Sequence, residues 1–275
     1  MSNAFSFALT IFMVLGLGIA GVNATGVVID GGISIDGENV SLKNLDVRGA
    51  LNIREGGNLT ADENVIASKI SLESQYEGPM SGLRATNVTT QQLSNERSRV
   101  EAQRLKTEGF YAGSDAKANI AEANISVTDI EGGSDIRGGN WTTRQIGVDT
   151  GAVFTAKNLT SGPTRIETGA VVTADNATLG NTSMCCGAVL RSMTGGSITT
   201  QNLDSCCGAE VRAGEYHGKN VELSAGAQIT AERTVEARDI NLTYGGAVVA
   251  PNIDAEEQIV ARHLSVSGDR VVASG

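Results

Sequence analysis

Four cysteines are the most reactive side chains of this 275-residue chain, and they occur as two adjacent pairs. Cys185 and Cys186 open the phrase CCGAVL, and Cys206 and Cys207 open the similar phrase CCGAEV 21 residues later. Thiols can form disulfides, act as nucleophiles or bind thiophilic metal ions. Which chemistry applies depends on how the surrounding structure places the two pairs.

The other polar side chains form no recognisable catalytic motif. His217 and His263 lie far apart in the sequence, and neither belongs to a Ser/His/Asp phrase. The chain also lacks a phosphate-binding loop, a dinucleotide-binding phrase and an EF-hand loop. We therefore predict no catalytic, cofactor-binding or metal site, and we expect a protein that is not an enzyme.

Asp149 and Glu167 are the best candidate pair for acid/base chemistry on polysaccharides. They occupy equivalent positions in neighbouring repeats, so their backbones could lie about 5 Å apart. Trp141 is the only tryptophan, however, which leaves few aromatic platforms for sugar rings. A solvated acidic edge is the simpler interpretation of this pair.

The composition favours a β-rich fold with small side chains inside. Glycine is frequent at 34 residues, proline is scarce at 3, and aromatic residues make up 4%. Branched apolar residues are too common for a disordered chain. The net charge of −10 disfavours nucleic acid and anionic membrane surfaces as partners, because both require clustered lysine and arginine.

The sequence repeats with a period of 18 to 22 residues. The blocks 133–150, 151–168 and 169–186 align without a gap, with glycine first, a large apolar residue fourth and asparagine eighth. Later blocks start at Gly187, Gly208, Gly226, Gly246 and Gly268. Repeats of this kind are typical of units that stack because none can bury its own apolar face.

Alternating apolar and polar residues within each block indicate short strands rather than helices. We therefore predict an all-β, parallel β-solenoid of about 13 coils over 25–275, about 60 Å long at 4.8 Å per coil. An antiparallel sandwich is the alternative, although it does not explain the fixed phase of the glycines. The charged segment 91–108 fits the repeat least well and could be a short helix, a charged coil or a junction; we place a possible junction at 91–112.

The asparagine at block position 8 suits a left-handed turn or a stacked amide ladder. The same residue creates three of the ten N-x-[ST] sequons, so the repeat alone explains those at Asn140, Asn158 and Asn176. An exported protein can be glycosylated at such sequons. The candidate glycosylation sites elsewhere are Asn58, Asn87, Asn124 and Asn241.

Residues 1–24 are apolar and uncharged, and they match a signal peptide or a hydrophobic anchor helix. The rest of the chain is then expected outside the cytoplasm, at the cell surface or in the envelope. Disulfides persist in that environment. Contact with a membrane is expected only through 1–24, if this segment is retained.

The repeat places each cysteine pair at block positions 17 and 18 of neighbouring coils. Equivalent Cα atoms would lie about 4.8 Å apart, within the range for a disulfide. We predict an inward Cys186–Cys207 staple and an outward Cys185–Cys206 pair that bonds within or between subunits. A four-cysteine zinc site is less favoured, because adjacent cysteines in a strand point to opposite faces.

Repeat style, paired cysteines and sequons together make 25–275 resemble β-solenoid structural proteins of the cell surface, among them the amyloid-like proteins of archaeal cell sheaths. The resemblance implies stacked β-hoops with disulfide cross-links that resist detergent. The expected function is self-assembly into a sheath, layer or filament, with the same chain as partner through coil-edge stacking and lateral contacts. The alternatives are an adhesin or appendage subunit and a polysaccharide-active enzyme.

Overall fold

The computed structural model describes residues 26–261 and 265–273, and these form a parallel β-solenoid of about 13 turns with about 18 residues per coil. All strand pairs in the described residues are parallel, which excludes the antiparallel sandwich. The predicted signal or anchor segment, 1–24, lies outside the described residues. No helix in the described part of the chain is both long and apolar enough to span a bilayer.

Within the described residues, eighteen strands form one continuous sheet that winds around the core. Most are long and turn corners, so that one strand supplies much of a coil. Their bounds are β1 Val27–Ile29, β2 Ile33–Asp36, β3 Asn39–Arg54, β4 Asn58–Glu73, β5 Gly82–Glu96, β6 Arg99–Ala112, β7 Lys117–Ile130, β8 Asp135–Val148, β9 Val153–Ser161, β10 Thr164–Ile166, β11 Val171–Met184, β12 Val189–Ser205, β13 Glu210–Leu223, β14 Gln228–Leu242, β15 Ala247–Val249, β16 Asn252–Ala261, β17 Ser265–Ser267 and β18 Arg270–Ala273.

Each coil pairs with the next through three segments separated by irregular corners. Between β3 and β4, for example, pairing is interrupted after Leu42 and again after Val47. The corners absorb differences in coil length: Val65 and Val88 are 23 residues apart, whereas Val88 and Leu105 are 17 apart, and both pairs are directly stacked. The predicted period is therefore confirmed with slightly wider limits.

Columns of equivalent inward side chains run along the solenoid and form its core. The longest column carries one buried apolar residue per coil, each at most 5% exposed. Its members are Leu45, Val65, Val88, Leu105, Ala123, Trp141, Leu159, Ala177, Ile198, Tyr216, Val235 and Ile253. A parallel stack keeps equivalent positions in contact, so in this column each apolar residue meets an apolar residue of the next coil.

The charged segment 91–108 forms part of β5 and β6. These strands pair from Gly82 opposite Arg99 to Asn95 opposite Ala112, and the ladder has no register shift. The charged side chains of Arg104 and Glu108 point outward and are exposed. Of the three interpretations offered for this segment, the structure shows a charged coil.

Candidate functional site

A turn of four residues closes one corner of most coils, and the cysteines lie in two of these turns. In each turn the fourth N–H donates to the first carbonyl, as from Ala188 to Cys185 and from Ala209 to Cys206, both at 3.1 Å. The first residues of successive turns form a column: Glu131, Asp149, Glu167, Cys185, Cys206, Ser224 and Thr243. The predicted equivalence of the carboxylate and cysteine positions is thus confirmed.

The second residue of each cysteine turn adopts a left-handed backbone. Cys186 has a φ of 51° and Cys207 a φ of 54°, and the glycines that follow are also left-handed. This is the pattern of a type I′ turn, in which both central residues have positive φ. Strand alternation therefore ends at the first cysteine, and the second cysteine does not turn toward the core.

The predicted faces of the two cysteine pairs are consequently wrong. Cys186 and Cys207, expected inside, are exposed, whereas Cys185 and Cys206, expected outside, are half-buried. The predicted stacking of cysteines on neighbouring coils is confirmed for Cys185 and Cys206, whose Sγ atoms lie 2.8 Å apart. All four residues are free thiols in the structure, so the disulfides stay a prediction.

The four thiols form one cluster, here called the cysteine corner. The Cys186 thiol donates to the Cys185 sulfur at 3.6 Å. The sulfurs of Cys185, Cys186 and Cys207 all lie within 4.8 Å of one another. The expectation that adjacent cysteines point apart fails here, because the left-handed second residue brings its side chain back beside the first.

Hydrogen bonds within the cysteine corner shift the pKa values of Cys185 and Cys207 in opposite directions. Hydrogen bonds with Cys206 and Cys186, followed by burial, raise the pKa of Cys185 to about 12. Hydrogen bonds from Cys206 and Cys185 lower the pKa of Cys207, which is exposed. Since the thiolate is the reactive form of cysteine, the lowered pKa favours the reactive form of Cys207.

Asp149 and Glu167 lie in adjacent turns, but a shared arginine engages both. Arg165 reaches Asp149 Oδ1 with Nη2 at 2.9 Å and Glu167 Oε1 with Nη1 at 3.0 Å. Both carboxylates are thus held in ion pairs with the same guanidinium. Asp129, which lies in β7 on the coil before Asp149, has its pKa raised by burial and then by the charges of Asp149 and Glu131.

The remaining sequence candidates lie apart from the cysteine corner. Trp141 is buried in the core at 1% exposure and offers no sugar platform. His217 Nδ1 and Glu236 Oε2 lie 3.0 Å apart in a hydrogen bond at the surface. His263 lies outside the described residues.

Asparagines form ladders, as predicted for block position 8, but none of them is in a left-handed turn. Asn158 donates to Asn140 at 2.8 Å, and Asn176 donates to Asn158 at 3.2 Å. The turn interpretation is wrong because these residues sit inside β8, β9 and β11. Their amides continue the hydrogen-bonded stacking of the backbone at the surface.

A second amide ladder was not predicted. Asn202 donates to Asn181 at 2.7 Å, Asn220 donates to Asn202 at 2.6 Å, and Arg238 donates to Asn220 at 2.6 Å. It lines a shallow groove of about 530 Å³ that also contains Asp204. The insertion before Ser197 places Asn202 21 residues after Asn181, outside the 18-residue period. The ladder becomes visible in the sequence only when the blocks are aligned on the cysteines that follow.

The four candidate glycosylation sites separate into two classes. The Nδ2 atom of Asn58 donates to Asn39 at 3.0 Å, and that of Asn87 donates to Asn64 at 3.0 Å. Asn124 and Asn241 are exposed, and their amides make no hydrogen bond within the described residues. The latter two are therefore the sites at which a glycan would disturb least.

Known proteins give no further assignment: no protein family, curated protein or solved structure matches the chain.

Proposed function

We propose that the protein is an exported structural subunit that polymerises end to end, coil on coil, into a sheath, layer or filament of the cell envelope. The observation that carries the proposal is the longest core column, which continues to both ends of the described solenoid. Val271 stacks on Ile253, and Val27 stacks on Leu45. Ile253 is 1% exposed, whereas Val271 is 46% exposed.

The terminal strands also carry open hydrogen-bonding edges. Within the described residues β1 pairs only with β3, and β18 pairs only with β16. A parallel edge with exposed apolar side chains is a template for another strand. Because β18 and β1 present the same column of the coil, β18 of one subunit can continue onto β1 of the next without a change of register.

Such a contact joins different ends of identical chains and is therefore heterologous. Heterologous interfaces of this kind produce open filaments when the rotation does not close a ring. The amide ladders add in-register side-chain contacts along the sides, where filaments could associate laterally. The resemblance to cell-sheath proteins points to the same function, and a Cys185–Cys206 disulfide would tie two coils within each subunit.

Electron microscopy and sedimentation velocity of the purified full chain test the proposal. We expect wild-type polymers whose formation is abolished by Val271→Lys, because the charge would be buried in the coil-to-coil contact. Val127→Lys is the matched control, since Val127 is also 46% exposed but lies on the side of β7. A wild-type chain that stays monomeric at high concentration, or a Val271→Lys variant that polymerises normally, would overturn the proposal.

The groove beside the second amide ladder favours one alternative, an adhesin that binds saccharides. Amides and carboxylates such as Asn202 and Asp204 are suitable partners for sugar hydroxyls. Glycan-array binding that is lost in Asn202→Ala and kept in Asn158→Ala would support this alternative. Asn158 lies in the first ladder, outside the groove.

A further inference from the structure

The cysteine corner places its thiols on two rigid supports that belong to neighbouring coils. Gly187 N–H donates to Cys207 C=O at 3.1 Å, which ties one turn to the other. Cys206 N–H donates to Met184 C=O at 3.0 Å, which fixes the start of the second turn on the first coil. The backbone that carries the sulfurs is therefore ordered by the ladder itself and requires no loop to close.

The sulfur positions fit a single thiolate-bound cation. Tetrahedral zinc sites have Zn–S distances of about 2.3 Å, which places neighbouring sulfurs about 3.8 Å apart. Cys186 and Cys185 are already at 3.6 Å, and Cys207 lies within 4.8 Å of both. Cys206, at 2.8 Å from Cys185, would have to move outward by about 1 Å to become the fourth ligand.

Access and ligand type agree with this geometry. Cys186 and Cys207 are exposed, so an ion can enter from solvent without opening a coil. Four soft sulfur ligands select thiophilic ions such as Zn²⁺ over Mg²⁺ or Ca²⁺. The objection that adjacent cysteines diverge does not apply, because Cys186 and Cys207 are left-handed.

We propose that the reduced cysteine corner is a binding site for one thiophilic divalent cation of the zinc class. Cys185, Cys186 and Cys207 supply three thiolates, and Cys206 supplies the fourth. Each thiol releases its proton to solvent as its sulfur binds the metal, and no electron is transferred. The bound ion clamps two neighbouring coils, a role that a Cys185–Cys206 disulfide would fill in the oxidised chain.

Titration of the reduced full chain with Cd²⁺ and with Co²⁺ tests the proposal. We expect one ion per chain, a thiolate-to-metal charge-transfer band, and visible Co²⁺ bands typical of tetrahedral sulfur coordination. Cys207→Ser should weaken binding by more than about 100-fold, since losing a mere outer-shell partner already costs about 10- to 100-fold. Cys207 is exposed, so an unchanged β circular dichroism spectrum should confirm that the variant folds.

Two controls make the outcome decisive. A variant with all four cysteines changed to serine reports binding by surface carboxylates, and it should show no charge-transfer band. Prior oxidation with oxidised glutathione, which takes up the two electrons and two protons of each disulfide formed, should remove the site. Absence of the band in the reduced wild type, or equal Cd²⁺ affinity in the four-serine variant, would overturn the proposal.

Discussion

Trp141 packs edge-on against Phe154 of the next coil, with ring centroids 5.1 Å apart and an interplanar angle of 83°. Phe110 approaches the same indole from the preceding side at 5.7 Å and 70°. Both are favoured aromatic geometries. In a core made mainly of alanine, valine, isoleucine and leucine, these three rings connect the coils of β6, β8 and β9 near the middle of the rod.

Phe154→Ala is expected to lower the free energy of unfolding by about 3–5 kcal/mol, because it leaves a cavity beside Trp141. Chemical denaturation followed by circular dichroism measures the change. Val153→Ala is the control. Val153 neighbours Phe154 in the sequence but is 38% exposed, so its replacement should change the free energy of unfolding by no more than about 0.5 kcal/mol. Equal effects of the two substitutions would show that the aromatic cluster does not stabilise the rod.

Asn158→Ala is expected to destabilise the chain by about 1–2 kcal/mol, since Asn158 makes one amide hydrogen bond to the coil below and one to the coil above. Thermal and denaturant unfolding both report this loss. Asn124→Ala removes an exposed asparagine that is outside the ladders and should have little effect. If both variants unfold alike, the ladder contributes no net stability.

Gly162→Ala is expected to disturb the stack between coils. A Cβ at this position would overlap the backbone oxygen of Arg144, which a rigid coil cannot move easily. Gly109→Ala is the matched control, because a Cβ there meets only the Cγ of Gln92 at 3.9 Å. Expression level and unfolding midpoint should fall for the first variant and remain near wild type for the second; the reverse order would contradict the stacking described.

Asp129→Asn is expected to stabilise the chain at neutral pH. Burial raises the pKa of Asp129, with further contributions from Asp149 and Glu131, while Arg165 opposes the shift. An acid with a higher pKa in the folded state contributes stability below its ordinary pKa of about 4 and loses it as pH rises through the folded value.

The difference between Asp129→Asn and wild type should therefore be largest near pH 7 and vanish below about pH 4. Denaturant unfolding at several pH values measures it. A stabilisation that is equal at pH 7 and at low pH would show that the charge on Asp129 is not its cause.

The repeat period determines most of the fold, because parallel stacking brings equivalent block positions of successive coils into contact. Asparagine at position 8 predicted the first ladder only as one of two alternatives, the other being a left-handed turn. The faces of Cys186 and Cys207 could not be predicted from alternation, since one left-handed residue at a corner reverses the direction of a side chain. Alternation is a rule for strands, and corners obey turn chemistry instead.

The charged coil at 91–108 shows a second limit of the sequence pattern. Asn95 is fully buried there, where the neighbouring coils carry Leu72 and Ala112. Its amide donates to the backbone oxygen of Lys117 at 3.0 Å, so a polar residue occupies a core column. A polar residue at an apolar position weakens the repeat signal, although the backbone ladder continues through it.

Extra residues at the corners leave the columns of the core unchanged. Each coil therefore adds the same length to the rod, whatever its number of residues. Phe154 stacks between Ile136 and Val172, and Leu159 stacks between Trp141 and Ala177. Removing 151–168 would join Thr150 to Gly169 and bring each outer pair of these residues into direct register. The length of the rod can therefore be changed in steps of about 4.8 Å by removing or adding whole coils.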